Sequence, residues 1–261
     1  MLFEWQLYIC ICILSNLIYS VLITGQSWES LSSLQRFATL GLFHQKMSPY
    51  WKPVTTRIVR HVSLSDKPLV IVAADTDIFV LLIYAFHKSR PSEKWFMKIE
   101  KNRYLDIGDI YKTYEEEICD ALPGYHSVTR YDTTSYPYKV GKVKPLKKMI
   151  TQGKSNLLAP LEKQRLSKQD AEKILSFSFM QTIMYPGKQD EDFMETRICM
   201  YEQQKNKSSL TLLSDKHSAE AHVKRSNLQA YIWKQCVLKD INYPNPEECG
   251  WQVEENSIVP D

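Results

Sequence analysis

Apolar residues fall along this chain in runs of three kinds, and each kind predicts different elements. The first is Leu7 to Ile23, seventeen residues without a charge. A bilayer-spanning helix needs about 20 apolar residues, and a secretory leader normally opens with basic ones. Here Glu4 precedes the run and the first basic residue is Arg36. A signal anchor and a buried or artefactual helix both remain open. Ser27 to His44 follows, with Leu31, Leu34, Phe37, Ala38 and Leu42 at helical spacing. Pro49 and Pro53 then interrupt, and Thr56 to Val62 reads as a short helix before the turn at Ser65-Asp66-Lys67-Pro68.

The second kind is continuous. Leu69 to Ala74 (LVIVAA) has the pattern of a strand buried on both faces of a parallel sheet. Asp75-Thr76-Asp77 follows it, and Ile78 to Phe86 continues apolar as a helix whose first turn carries the acids. Trp95 to Ile99 and Arg103 to Leu105 predict two strands around the polar turn Glu100-Lys101-Asn102, with a helix over Ile107 to Tyr114. Past Pro123-Gly124 the chain reads as a loop through Tyr136-Pro137. The third kind is helical, over Ser167 to Met184, Asp190 to Lys205 and His217 to Leu238. These runs predict an α/β fold: a mainly parallel sheet flanked by helices, with a helical C-terminal region. The expected divisions are an apolar segment 1–26, an α/β domain 27–160, a helical region 161–243 and a polar tail 244–261.

Composition changes this picture little. With 261 residues, 44% apolar and 24% charged, the chain can bury one good core or two small ones. A net charge of +3 makes no case for nucleic acid by itself. Position matters more: Lys139, Lys142, Lys144, Lys147, Lys148 and Lys154 crowd one Gly-punctuated segment. That segment is either a phosphate-binding surface or a solvated basic face. The six cysteines form no CxxC pair and no zinc-spaced cluster with histidine. This fits reduced thiols in an intracellular protein, the nucleus included, unless residues 7–23 anchor it to a membrane.

Candidate chemistry gathers on acids. Asp75 and Asp77 stand where a strand ends and a helix begins, the edge at which open α/β sheets collect ligands. The same residues are also good helix caps. Asp132, in Leu122-Pro123-Gly124-Tyr125-His126-Ser127-Val128-Thr129 through Ser135, supplies a third carboxylate ahead of the lysines. Taken with Ala73-Ala74-Asp75-Thr76-Asp77-Ile78-Phe79-Val80-Leu81-Leu82, this stretch resembles a family of metazoan proteins, many linked to mobile elements, that share SADTDVLVLLL and LPGFHALTGCDTTS motifs. The resemblance continues through Thr196 to Tyr201, Val223 to Trp233 and Gly250-Trp251, covering roughly residues 56 to 255. That family in turn resembles the PIN-like and flap-endonuclease domains.

The resemblance implies that Asp75, Asp77 and Asp132 are catalytic ligands of Mg²⁺ or Mn²⁺. Two such ions about 3.5–4 Å apart activate water and neutralise the leaving oxygen in phosphodiester hydrolysis. It also implies that Lys142, Lys144, Lys147 and Lys148 hold the backbone of DNA or RNA. Two departures fall on the site. Where the family has Glu-Ala-Asp-Thr-Arg, this chain has Pro53-Val54-Thr55-Thr56-Arg57, and where it has Gly-Cys-Asp, this chain has Arg130-Tyr131-Asp132. Three carboxylates are few for two hard ions, each of which takes six or more oxygens. The expectation is therefore a degenerate nuclease-like domain, inactive as it stands, and the alternative is a non-catalytic scaffold. His126 has no nucleophile placed beside it. His217 and His222 miss the i, i+4 spacing of a zinc helix and read as surface residues, while Tyr231, Trp233 and Trp251 read as packing.

Overall fold

The computed structural model describes residues 7–13, 17–23, 54–73, 75–100, 103–129, 141–172, 193–203, 215–254 and 257–260. It is an α/β protein with a mixed sheet and many helices. Two compact units divide the chain: residues 1–119 with 236–239, and residues 120–235 with 240–261.

In the first unit, strands β1 (Leu7–Ile13) and β2 (Leu17–Ile23) form an antiparallel hairpin, Leu7 opposite Ile23. The apolar run expected to be one helix is thus two strands. No helix among the described residues is long and apolar enough to cross a membrane. The helix expected over Ser27 to His44 lies outside the described residues. Helix α1 (Val54–Ser63) buries Ile58, Val59 and Val62. Strand β3 (Leu69–Val72) buries Leu69, Val70 and Ile71, two faces at once, as its unbroken apolar run requires.

Helix α2 (Thr76–Ser89) returns the chain from the end of β3 and packs on α1. Strand β4 (Trp95–Glu100) then pairs parallel to β3, Leu69 opposite Trp95, so β3–α2–β4 is a crossover unit. Strand β5 (Arg103–Asp106) pairs antiparallel to β4, because two residues between strands allow only a hairpin. Trp95 is fully buried and packs edge-to-face with Phe86, ring centres 5.4 Å apart. Helix α3 (Ile107–Thr113) follows β5 directly, its Gly108 so near Phe86 that a Cβ would stand 2.9 Å from the ring.

Helix α4 (Glu116–Thr129) runs straight through Pro123-Gly124, where the sequence reads as a loop. In the second unit its later residues join α5 (Val143–Thr151), a 3₁₀ segment (Ser155–Glu162), α6 (Lys168–Glu172), α7 (Phe193–Gln203) and α8 (Lys216–Lys234). Their shared core holds Tyr125, Val128, Met149, Leu158, Leu161, Val223 and Ala230. A short 3₁₀ turn (Pro246–Cys249) leads to the hairpin of β6 (Trp251–Glu254) and β7 (Ser257–Pro260). Cys236 and Cys249 are buried thiols without a disulfide, and burial pushes Cys236 up to about 12 and Cys249 to about 11.

Candidate functional site

The acidic turn forms for local reasons. β3 ends in the apolar interior, and the chain needs a residue that accepts a hydrogen bond from the exposed N–H groups of the helix behind it. Asp75 is that residue: its backbone is extended (φ −84°, ψ 126°) and its Oδ1 accepts the N–H of Asp77 at 2.9 Å. Asp77 lies in the first turn of α2, where the positive end of the helix dipole favours a carboxylate. Both are half-buried. The strand end therefore carries two carboxylates one residue apart, one of them already holding a backbone N–H.

Pro53, where the resemblance expects a glutamate, lies outside the described residues, but Thr55 does not. It sits in the first turn of α1, where the resemblance expects an aspartate, and its hydroxyl is buried with no hydrogen-bond partner among the described residues. An unpaired buried hydroxyl costs about 1–3 kcal/mol. Arg130, Tyr131 and Asp132 lie outside the described residues. Among the described residues no three His, Cys, Asp or Glu side chains gather as metal ligands.

The residues on either side of the Asp132 segment are held together. Thr129 Oγ1 donates to the Tyr125 carbonyl at 2.8 Å and finishes α4. Tyr125 in turn donates its phenol to the carbonyl of Lys142, and Lys142 Nζ lies 2.9 Å from Nδ1 of His126. The His126 ring stacks on Trp233, centroids 5.5 Å apart. Burial pushes the Tyr125 phenol well above its ordinary range. Lys142, expected on a phosphate-binding face, is thus half-buried against a histidine.

The other lysines occupy α5, which buries Pro145 and Met149 and exposes Lys144 and Lys147. At its end Gly153 takes the left-handed conformation (φ 60°), and the N–H of Lys154 reaches back to the Met149 carbonyl at 3.0 Å. This cap brings Lys154 near Lys148. Burial, and secondarily the Lys154 charge, lower the Lys148 pKa from its ordinary value. Lys148 also stands in the last turn, at the negative end of the helix, where a cation is stabilising without any ligand.

The remaining motifs of the resemblance interlock in the second unit. Arg225 Nη1 donates to the Gly250 carbonyl at 3.1 Å, and its guanidinium lies 5.7 Å from the Trp251 ring centre. Gly250 has φ 79°, and a Cβ there would meet the Ala221 carbonyl oxygen at 2.8 Å. Ser226 donates to the carbonyls of His222 and Ser127, and His222 Nε2 lies 2.9 Å from the Val128 carbonyl. His222, expected on the surface from its spacing alone, is buried, and burial lowers its pKa to about 4. His217 is exposed, as expected, and Trp233 is fully buried packing. No local signal flags His222, because α8 has no single apolar face and buries polar Ser226, Asn227 and Gln229 along with its apolar residues. Compared with protein-family models, curated proteins and solved structures, the chain matches none of them.

Proposed function

We propose that this chain is a nuclease-like α/β domain of the PIN-like kind that no longer cleaves nucleic acid. In this reading Asp75, Asp77 and Asp132 keep a weak site for one Mg²⁺ or Mn²⁺, and Lys144, Lys147 and Lys148 contact phosphates of DNA or RNA. Lys142 is left out of the contacts because its ammonium lies against His126. One observation carries the reading. Two half-buried carboxylates stand where a parallel strand ends and a helix begins, the ligand edge of α/β sheets. A pair of metal ions would activate water and clamp the attacking and leaving oxygens. Two described carboxylates, one engaged as a cap, fall short of that ligand set.

A second reading is a scaffold in which Asp75 only caps α2, and the Asp75–Asp77 hydrogen bond favours it. One experiment separates the two. The full chain is incubated with Mn²⁺ and branched DNA and shows little or no cleavage. Pro53→Glu and Thr55→Asp together with Arg130→Gly and Tyr131→Cys raise cleavage, and adding Asp132→Asn abolishes the gain. Robust cleavage by the natural chain, lost on Asp75→Asn, would overturn the loss of activity. A restored protein that folds but stays inert would leave the scaffold.

A further inference from the structure

Helix α7 is apolar on two sides. Inward, Thr196 is buried and Met200, one turn on, packs against the core of the second unit. Outward, Met194, Ile198 and Tyr201 are spaced i, i+4 and i+7 and are 41%, 54% and 70% exposed. This spacing sets the three on one stripe. A surface helix is ordinarily polar on that side. The stripe offers on the order of 300 Å² of side-chain surface, comparable to the largest apolar patches on monomers, which are often functional. Packing accounts for Thr196 and Met200 within the Thr196–Tyr201 motif. Among the described residues it does not account for Ile198 and Tyr201.

The border of the stripe is acidic. Glu195 and Glu202, two turns apart, flank it on one side, and both are exposed with no ion pair among the described residues. Arg197 lies on the other side, and its charge reaches Asp215, whose carboxyl is held low first by its bonds to Ser218 and last by that arginine.

We propose that the outward face of α7 docks one amphipathic helix of a partner protein, apolar on one side and bordered by Lys or Arg. Area and charge both select this occupant over a second copy of the chain. A stable protein–protein interface buries about 800 Å² on each partner, well beyond the stripe, whereas a helix seated on another surface anchors through a few side chains at i, i+3 or i+4 and i+7. Antiparallel pairing of two copies would also set the Glu195–Glu202 border against itself, a like-charge contact that opposes binding.

The test uses the full chain and two fluorescein-labelled helical peptides of about 18 residues, roughly five turns, with the same Leu stripe. One is flanked by Lys and the other by Glu. Anisotropy titrations at low salt should show the Lys-flanked peptide binding about tenfold tighter, a difference of about 1.4 kcal/mol. Ile198→Ser with Tyr201→Ser should abolish binding, and Glu195→Lys with Glu202→Lys should invert the preference between peptides. All four positions are exposed, so unchanged circular dichroism and urea midpoints will show the variants folded. Equal affinity for the two peptides, binding that survives the serine pair, or a preference that does not invert would each overturn the proposal. A dimer seen by sedimentation and dissolved by the serine pair would overturn it in favour of a second copy.

Discussion

Asparagine keeps the hydrogen bond of a helix-capping aspartate but not its charge, and Asp75 can be questioned on that difference. The cap predicts that Asp75→Ala lowers unfolding stability by about 1 kcal/mol while Asp75→Asn stays within a few tenths. Urea titration of both variants checks it, and equal losses would show that the Asp77 N–H bond is not what stabilises the turn. A metal role would appear separately, as weaker Mn²⁺ binding by the Asn variant. His222 offers a second single-residue test. Its folded pKa of about 4, set mainly by burial, lies below the ordinary 6.5. Between those values the unfolded chain binds the extra proton, so stability is fully present above about pH 6.5 and falls as pH drops towards 4, by about 3 kcal/mol. His222→Gln, which can still donate to the Val128 carbonyl, should flatten the decline between pH 6.5 and 4.5. Parallel stability–pH curves for the two proteins would refute it.

Helix α5 brings the same ambiguity to a whole element, because its lysines suit a solvated face, and Lys148 the helix dipole, as well as a phosphate backbone. If they hold phosphates, changing Lys144, Lys147 and Lys148 to Gln should reduce the log–log salt slope of DNA binding by nearly one unit for each phosphate released. An unchanged slope, measured over several KCl concentrations, would leave them as solvated surface charges only. Elements differ in how far local sequence specifies them. The β3–α2 turn was legible because its signals are adjacent: an unbroken apolar run, then Asp75, Thr76 and Asp77 at a helix start. Helix α4 was not, because Pro123 and Gly124 read as punctuation. What overrides them is burial. Ala121 to Thr129 are all buried, a Cβ at Gly124 would lie 3.5 Å or more from Leu158 and Leu161, and Ser127 and Thr129 bond back along the helix. The mixed sheet depended on a two-residue link between β4 and β5, and strand direction follows from that length, not from apolar pattern. Asp75 and Asp77 could be placed from sequence. The inward turn of Lys142 could not, since its partners His126 and Tyr125 are 16 and 17 residues away.

At the scale of the molecule, the sequence divisions and the compact units fall in different places. The order of predicted strands and helices puts a division at residue 160, whereas the second compact unit gathers residues 120–235 and 240–261. Within it, Val128 meets His222, Ser127 meets Ser226, and the core takes Ala219, Val223 and Ala230 from α8. A fragment of residues 56–160 should therefore leave the amides of Ala121 to Thr129 without the exchange protection they have in the full chain. Hydrogen exchange with mass spectrometry reads this directly, and equal protection would show that α4 holds without α8. The first unit has its own long reach. Arg60 Nη1 donates to the carbonyl of Lys239 at 2.7 Å, across 179 positions of sequence. A ribosome adds roughly 5–20 residues each second. The guanidinium of Arg60 thus leaves the tunnel on the order of ten seconds before its acceptor has been made, while α1 already has its packing partner α2, so this bond closes onto a helix pair that is in place.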